Sequence, residues 1–349
     1  MIHKMSFRNF KCLRDVTIDL ERFTVCVGPN ASGKSSILKG MHFLCQIFGF
    51  PQVTTQHNEL LQFASRGVRD NIDLAAGTGG QWYRVRAHPS PPQVQQNIRN
   101  PPWSGLGLGV APDLNSTEWK LWQFQSGVMA PLPSSVLLRL EASKLVVPNP
   151  SPADPTVMLP DGTGLHTALA SMALNDPDSW QHLQADLRRI IPTIRRLRHT
   201  KTVINQPSAL QFDTVGADSL PASEVSEGTL LILGLLAALY APNRPNLILL
   251  DDLDRGLHPK AQKELIVLLR GLQQTNANLQ IVATTHSPYL LDSMQTNEVR
   301  MTFLKDDGSA MCAALTEHPR YEKWKDEMGP GEMWSLFGEK WLVEKGVAG

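Results

Sequence analysis

The sequence predicts an α/β fold built around a mixed or parallel sheet. Two observations carry this prediction. Short apolar runs bounded by glycine or proline, typical of buried strands, alternate with longer segments whose apolar residues recur at helical spacing. The first buried run also leads through a glycine-rich loop directly into a helical segment, which is the local order of strand, loop and helix found in parallel α/β sheets.

The composition is that of a globular protein. Of the 349 residues, 42% are apolar and 19% are charged, and 33 basic residues balance 33 acidic ones. A zero formal net charge excludes a strongly basic coat for nucleic acid, although it leaves room for a local basic patch. The N-terminus shows no secretory signal, the apolar stretches are short and the cysteines lack metal-site spacing, so we expect a cytoplasmic protein without membrane contact.

The N-terminal segment predicts strand, strand, loop and helix in that order. Val16, Ile18 and Leu20 alternate with polar residues, as in a half-buried strand. Residues 23–27 form an apolar run that stops at a glycine, which favours a buried central strand. The apolar residues after the loop then recur with helical spacing, at Ile37, Leu38, Met41, Leu44, Cys45 and Phe48.

The middle of the chain differs in composition. Proline and glycine are concentrated in residues 88–112 and again in 148–160, and we expect the first of these stretches to be a long irregular loop. A strand is predicted over 136–140, and residues 165–198 show helical periodicity. The predicted domains are therefore a head formed by 1–90 and 220–315, an inserted Pro-rich and helical lobe at 91–219, and a C-terminal tail at 316–349.

The last third returns to alternating strands and helices. Buried strands are predicted over 246–250, 279–283 and 299–304, and Asp307-Gly308 indicates a hairpin turn before a strand at 311–315. Between the first two strands, one helical face carries Ala261, Leu265, Leu268, Leu269 and Leu272.

The strongest motif is a complete GxxxxGKS string. It consists of Gly28, Pro29, Asn30, Ala31, Ser32, Gly33, Lys34 and Ser35, and Ser36 follows it at the helix start. Glycines let backbone N–H groups approach a phosphate, and the N-terminus of the next helix favours an anion. We therefore predict that this loop binds ATP, with Lys34 reaching the β- and γ-phosphates and Ser35 ligating Mg²⁺.

A second motif is the pair of carboxylates at the end of an apolar strand, Asp251 and Asp252. The carboxyl ends of parallel strands form the edge where open α/β sheets bind ligands. Asp251 is the candidate Mg²⁺ residue, through a water molecule. Asp252 is the candidate catalytic residue that orients or deprotonates the attacking water.

Together these motifs resemble the ABC-class ATPase heads of the SMC, RecF and OLD (overcoming-lysogenization-defect) type. The resemblance is carried by residues 7–11, by the glycine loop, by Ser226-Glu227-Gly228-Thr229 in the place of the ABC signature, by a D-loop-like segment at 254–259, and by Thr284-Thr285-His286-Ser287. It covers about half of the chain, and it implies an ABC-type head with an inserted, partly helical lobe.

The resemblance also implies how such a head works. Ser226 and Gly228 contact the γ-phosphate of ATP held by a second copy, and His286 is the catalytic switch histidine that bonds the γ-phosphate or the attacking water. The working form is a homodimer with two ATP molecules sandwiched between the copies, or a higher oligomer. The family has glutamate where this chain has Asp252, so a low rate is expected, since a misplacement of about 1 Å costs on the order of a hundredfold in rate.

The biological role implied is that of a sensor or scaffold in an anti-phage defence module. OLD-type relatives often carry a Toprim nuclease domain, for which the sequence after His286 is too short. The effector, a nuclease or toxin, is therefore expected to be a separate chain. Two alternatives are a RecF-like DNA-repair ATPase that clamps DNA and a scaffold that binds ATP without turnover.

Several weaker signals stay open. Gln46, Gln56 and Gln62 are candidates for the glutamine loop. A basic cluster at 188–201 is either a DNA surface or a solvated face. The tail, with Trp324, Trp334 and Trp341, either docks a partner or packs on its own domain. Gly105–Gly109 is expected to be a loop rather than a dinucleotide site, and residues 112–120 a loop rather than a nuclease motif.

Overall fold

The computed structural model describes residues 1–49, 72–78, 81–89, 103–111, 120–121, 132–147, 157–200 and 209–343. By contact, the chain divides into two compact units. The first unit comprises Met1–Leu137, Asn246–Asp251 and Asn278–Gly349, and the second comprises Leu138–Pro245 and Asp252–Ala277. This grouping differs from the head, lobe and tail expected from the sequence, and that three-part division stays a prediction.

The described strands follow one another along the chain. They are β1 (Lys4–Phe10), β2 (Leu13–Asp19), β3 (Phe23–Val27), β4 (Ile72–Thr78), β5 (Gln81–Pro89), β6 (Trp103–Ala111), β7 (Lys120–Leu121), β8 (Ser135–Leu138), β9 (Ile194–Thr200), β10 (Ala209–Thr214), β11 (Ala217–Pro221), β12 (Leu247–Leu250), β13 (Gln280–Thr285), β14 (Val299–Leu304) and β15 (Ala310–Ala314).

The described α-helices are numbered in the same way. They are α1 (Lys34–Gly49), α2 (Ala142–Leu145), α3 (Leu165–Asn175), α4 (Pro177–Ile190), α5 (Glu227–Leu239), α6 (Pro259–Thr275), α7 (Pro288–Leu291), α8 (Tyr321–Trp324) and α9 (Pro330–Phe337). Within the described residues, no helix is both long and apolar enough to cross a bilayer.

A mixed sheet in the first unit carries the motif strands. Its strand order is β15-β14-β3-β13-β12-β8. Strand β3 pairs in parallel with β13 and β14, and β13 pairs in parallel with β12. Every residue of β3, β12 and β13 is buried, which explains why these strands appear in the sequence as mainly apolar runs without polar–apolar alternation. The predicted mixed α/β fold is confirmed.

Two antiparallel sheets accompany the mixed sheet. The first has the order β2-β1-β4-β5-β6-β7, and the second, in the other unit, has the order β11-β10-β9. Strands β1 and β2 alternate between buried and more exposed residues, so one of their faces packs on the core. Helix α1 comes close to that face: a Cβ added to Gly40 would lie 2.6 Å from the Phe7 ring. A glycine is therefore required at this point of the helix.

The prediction of an irregular loop over 88–112 is wrong for the residues of this range that the structure describes, which lie in strands. Strand β5 continues to Pro89, and β6 spans Trp103–Ala111 and pairs with β5 in antiparallel register. Gly105, Gly107 and Gly109 lie opposite His88, Arg86 and Arg84 in that pairing. The glycines occur at every second residue, which is the strand period, so glycine content alone was a poor guide. Gly105–Gly109 thus belongs to a strand and not to a loop.

The predicted helical stretch of the second unit is confirmed up to Ile190. Helices α3 and α4 bury one apolar face each, with Leu165, Leu169, Met172, Leu183, Leu187 and Ile190 inside. Asp176 ends α3 and caps α4, since its side chain accepts a hydrogen bond from Ser179 N at 3.1 Å. The helical pattern stops there, because residues 194–200 form β9 instead.

Gln280 ties the N-terminus to the mixed sheet. Its side chain is 1% exposed, accepts from Ile2 N at 2.9 Å, and donates to Ile2 O at 2.7 Å and to Glu21 O at 3.1 Å. Ile2 is itself fully buried, so its backbone polar groups depend on this amide.

We expect Gln280→Met to lower the free energy of unfolding by about 2 kcal/mol, because the buried N–H and carbonyl of Ile2 lose their partner. Chemical denaturation measures this value. The control is Gln274→Met, the same change at an exposed position of α6, which should stay within about 0.5 kcal/mol of the parent. Equal losses in the two variants would contradict the assignment.

Candidate nucleotide-binding site

The glycine-rich loop connects β3 to α1 and adopts the backbone shape that its glycines allow. Gly28 and Gly33 have φ values of 153° and 101°, and Ala31 lies in the left-handed region at 62°. At Gly28 a Cβ would lie 2.1 Å from Thr302 O, so only glycine fits beside β14. The Ser32 hydroxyl shares a hydrogen bond of 2.6 Å with the Thr302 hydroxyl, which fixes the loop to that strand.

Lys34 is the first residue of α1, and its side chain is directed back across the loop. The ammonium donates to Gly28 O at 2.8 Å and to Pro29 O at 2.7 Å. The residue is only 5% exposed. A buried cation is tolerated only with polar partners, and here the carbonyls of the loop are among them. The structure thus places the positive charge within the loop, as its proposed role at phosphate requires.

Ser35 and Asp251, the two residues predicted to serve Mg²⁺, lie together in the first unit. The Ser35 hydroxyl donates to Asp251 Oδ1 at 2.9 Å. Ser35 follows the loop after β3, whereas Asp251 follows β12, so the two meet at the carboxyl edge of the parallel sheet. A hydroxyl and a carboxylate are hard oxygen donors of the kind that Mg²⁺ prefers, and this donor set fits the ion.

Thr284 contacts the same carboxylate. Its hydroxyl donates to Asp251 Oδ1 at 2.9 Å, and the residue is fully buried at the end of β13. In the sequence Thr284 belongs to the motif that ends this strand, yet only His286 of that motif was predicted to have a role. The available signal was register: Leu250 is opposite Ala283 in the parallel pairing, which places the next residues, Asp251 and Thr284, side by side.

His286 lies just beyond β13, at the same edge of the sheet, and its side chain is exposed. The neighbouring backbone is ordered by Thr285, whose hydroxyl accepts a hydrogen bond from Ser287 N at 3.1 Å.

In the adjacent strand β3, burial raises the pKa of the Cys26 thiol to about 12. This thiol stays protonated at neutral pH and is not a nucleophile for the site.

The signature-like residues form a compact turn in the second unit. Ser226 is the N-cap of α5: its hydroxyl accepts from Thr229 N at 3.3 Å and lies 2.8 Å from the Thr229 hydroxyl. Glu227 pairs with Arg255 of the D-loop-like segment at 2.7 Å. The backbones of Gly228 and Gly256 touch, since a Cβ on Gly228 would lie 2.1 Å from Gly256 O.

Asp252 lies in the second unit, two residues before the D-loop-like segment. Its side chain is exposed, and its φ of 55° places it in the left-handed region, where aspartate and asparagine are tolerated better than most residues. Its carbonyl accepts from Arg255 N at 3.0 Å, which closes a turn. The two adjacent carboxylates of the motif therefore fall into different units, Asp251 with the glycine loop and Asp252 with the signature turn.

The remaining candidates are divided by the structure. Gln46 lies on α1 and bonds the His42 ring at 2.9 Å, whereas Gln56, Gln62 and residues 112–119 lie outside the described residues. The basic cluster is split between the end of α4 and β9, where Arg189 pairs with Glu264 and Arg198 with Asp213. DNA binding by this cluster stays a prediction.

The described part of the tail packs within the first unit. Trp341 is 6% exposed, and His318 stacks on Phe337 at 4.5 Å and meets Trp341 edge-on at 5.1 Å. Helix α9 joins α7 through a hydrogen bond of 2.8 Å from Gly331 N to Asp292 Oδ1. These contacts support the alternative in which the tail packs on its own domain.

Comparison with solved structures and family models defines the class of protein. The fold matches the SMC head bound to the C-winged helix domain of ScpA, with a TM-score of 0.56 and 13% identity over 92% of this chain and 99% of that chain. An SMC head from Pyrococcus furiosus, solved with an extended coiled coil and the C-terminal domain of ScpA, matches with a TM-score of 0.55 and 11% identity, over 93% and 99% of the two chains.

Two family models match separate parts of the sequence. The model described as "AAA ATPase domain" matches residues 1–73, and the model described as "AAA domain, putative AbiEii toxin, Type IV TA system" matches residues 164–292. Over these two ranges the chain is similar to AAA ATPase domains, and its fold is that of an SMC head, so the predicted resemblance to SMC- and OLD-like ATPases is confirmed.

Two curated proteins are similar in sequence to shorter stretches of this chain. The Septu protein PtuA of Bacillus thuringiensis is 38% identical over 69 residues, 20% of this chain. The "Retron Ec83 probable ATPase" of Escherichia coli is 31% identical over 93 residues, 23% of this chain. Each match spans 17% of the relative's length.

We expect Gly228→Ala to destabilise the second unit by about 2 kcal/mol, because the new methyl group would overlap Gly256 O. Gly271→Ala is the matched control, since Gly271 lies within α6 and a Cβ there meets nothing within 4 Å. That change should stabilise the helix by up to about 1 kcal/mol. Thermal unfolding separates the two, and a stable Gly228→Ala protein would contradict the contact between the two turns.

Proposed function

We propose that this chain binds ATP with Mg²⁺ and hydrolyses it slowly. One observation carries the proposal: at one edge of the mixed sheet, the loop that holds Lys34 adjoins a hydroxyl–carboxylate pair formed by Ser35 and Asp251. The AAA family matches and the SMC-head fold support the same activity.

The phosphates bind to the loop and to the N-terminus of α1. Ala31 and Gly33 have positive φ, a backbone conformation that occurs in loops whose N–H groups bind anions, and the dipole of α1 favours an anion at the same end. The Lys34 ammonium donates to β- and γ-phosphate oxygens, which are charged acceptors and therefore stronger than the carbonyls it contacts in this structure. The other residues proposed to contact the nucleotide here are Gly28, Pro29, Asn30, Ser32 and Ser36.

Separate candidate residues serve the metal and the attacking water. Ser35 would hold Mg²⁺ directly and Asp251 would hold it through a water molecule, and the ion would supply neutralisation of the phosphate charge. Asp252 orients the attacking water and accepts its proton, and His286 bonds the γ-phosphate or that water. The Asp252 side chain is one methylene shorter than glutamate, which makes turnover slow.

The catalytic assembly is a homodimer. The Ser226 and Gly228 backbone at the N-terminus of α5 forms an anion site that completes the ATP pocket of a second copy. ATP then stabilises the dimer, and hydrolysis releases it, because the γ-phosphate contacts exist in only one of the two states. The exposed position of Asp252 and of the signature turn's Glu227 is compatible with such an interface.

The biological role proposed is that of an ATP-dependent sensor or scaffold in an anti-phage defence module. Similarity to the Septu protein PtuA and to a retron ATPase supports this role. The two SMC head structures were solved with domains of ScpA, and a separate effector chain is proposed for this protein by analogy with such head–partner complexes. A nuclease or toxin is the effector class that the resemblance implies.

We expect Lys34→Ala to abolish ATP binding, measured by titration of a fluorescent ATP analogue with Mg²⁺, because the loop loses its only side-chain cation. The matched control is Lys39→Ala, which removes the same charge further along α1 and should leave the affinity unchanged. Unchanged affinity in Lys34→Ala would contradict the proposed site.

Asp252→Asn is expected to slow phosphate release by about 100-fold while ATP binding and the ATP-bound dimer persist. Asparagine tolerates the left-handed backbone at this position, so the fold is kept. Phosphate release and light scattering give the two readouts. Asp218→Asn, at an exposed position of β11, is the control for loss of one charge. If Asp252→Asn released phosphate at the parent rate, Asp252 would have no catalytic role. If the parent itself released no phosphate, the scaffold alternative would be favoured.

A further inference from the structure

Strand β13, between the strands that lead to the two nucleotide motifs, has a buried threonine, Thr284, as its last residue but one. We propose that Thr284 is a positioning residue for Mg²⁺-nucleotide: its hydroxyl holds the Asp251 carboxylate in place while Ser35 binds the metal. This inference rests on the proposed nucleotide function, which it deepens. Thr284 acts through Asp251 and is not placed in contact with the nucleotide.

Strand register explains why Thr284 reaches Asp251. Strand β13 lies between β3, which leads to the glycine loop, and β12, which leads to Asp251. In the parallel pairing of β12 with β13, Leu250 is opposite Ala283. The next residues along the two strands are Asp251 and Thr284, and on the other side Thr284 is opposite Cys26. The backbone itself therefore brings the hydroxyl and the carboxylate together.

The direction of the hydrogen bonds follows from chemistry. An ionised carboxylate only accepts, so the hydroxyls of Thr284 and Ser35 both donate to Asp251 Oδ1, each at 2.9 Å. Thr284 is fully buried, where a hydroxyl without a partner is costly. One carboxylate oxygen is thus held by donors from two separate elements, the start of α1 and the end of β13.

The second donor matters most when the metal is bound. The Ser35 oxygen could present a lone pair to Mg²⁺ while its O–H still donates to Asp251, but the position of this oxygen would then be governed by the metal. The Thr284 hydroxyl is anchored in the sheet and keeps the carboxylate aligned for a metal-bound water. Groups that orient metal-binding side chains in this way typically change metal affinity by 10- to 100-fold when removed.

The adjacent threonine has another task. The Thr285 hydroxyl accepts from Ser287 N and orders the turn that follows His286. A useful comparison is Thr24, a fully buried threonine near the start of β3, whose hydroxyl bonds the backbone of Glu21 at 2.9 Å. Thr24 is opposite Val282, which pairs in turn with Leu249, so Thr24 lies two residues before the level of Asp251 and its hydroxyl bonds a different partner. Removing its hydroxyl perturbs the same sheet without touching the site.

The experiment measures the Mg²⁺ concentration that half-saturates binding of a fluorescent ATP analogue to the full chain. The variants are Thr284→Val, which keeps the shape and removes the donor, Thr284→Ser, which keeps the donor, and Thr24→Val. We expect Thr284→Val to raise this concentration about tenfold. We expect Thr284→Ser and Thr24→Val to stay near the parent value, and binding measured in EDTA to be the same in all four proteins.

Each result bears on the proposal. An unchanged Mg²⁺ requirement in folded Thr284→Val overturns it, and so does an equal rise in Thr284→Ser or Thr24→Val, because the hydroxyl of Thr284 would then not be the cause. If Thr284→Val does not fold, Thr284→Cys, of similar size and with a much weaker donor, is used with the same expectations. Failure of the parent to bind nucleotide refutes the proposed function itself and this inference with it, whereas parent binding without the Mg²⁺ shift refutes only the inference.

Discussion

The carboxylate of Asp251 is the point on which the architecture of the site depends. It accepts hydrogen bonds from Ser35 and from Thr284, and these residues belong to different elements of the same unit. The three can meet only because β3, β13 and β12 are parallel neighbours, so that their carboxyl ends lie at one edge. The loop geometry, the helix start and the buried strands all serve to bring hard oxygen atoms and a cation to that edge.

The glycine loop is held by packing as much as by its own sequence. Thr302 of β14 bonds Ser32, and its carbonyl leaves no room for a side chain at Gly28. If a loop is ordered only when its ligand binds, the free-energy cost of ordering lowers the affinity. For the phosphate binding proposed here, contacts with β14 would reduce this cost, because they fix the backbone shape of the loop in advance.

The signature-like turn and the D-loop-like segment pack together in the second unit. Gly228 and Gly256 touch through their backbones, and Glu227 pairs with Arg255 at their exposed side. Asp252 belongs to this second unit, and Asp251 belongs to the other unit. In the proposed mechanism the peptide bond between these two residues joins the group that serves the metal to the group that serves the water.

The sequence predicted the structure correctly where an element depends on local periodicity or on turn-forming residues. The glycine loop, the buried runs that became β3, β12 and β13, the hairpin at Asp307-Gly308 and the apolar faces of α3 and α4 could all be predicted, because period and turn chemistry are local properties. Glycine content misled at Gly105–Gly109, where the residues form a strand. There the pairing with β5 outweighed the local preference.

By itself, then, the sequence determined the class of fold and marked the glycine loop, the carboxylate pair and the signature-like turn as candidates for the site. Only the tertiary structure decided that Thr284 and Ser35 both donate hydrogen bonds to Asp251, and that Thr302 contacts the glycine loop. It also decided that residue 228 has no room for a side chain, because Gly256 lies against it. The reason is physical: these relations join residues that are distant in the chain, and they exist only once strand order and register have been set.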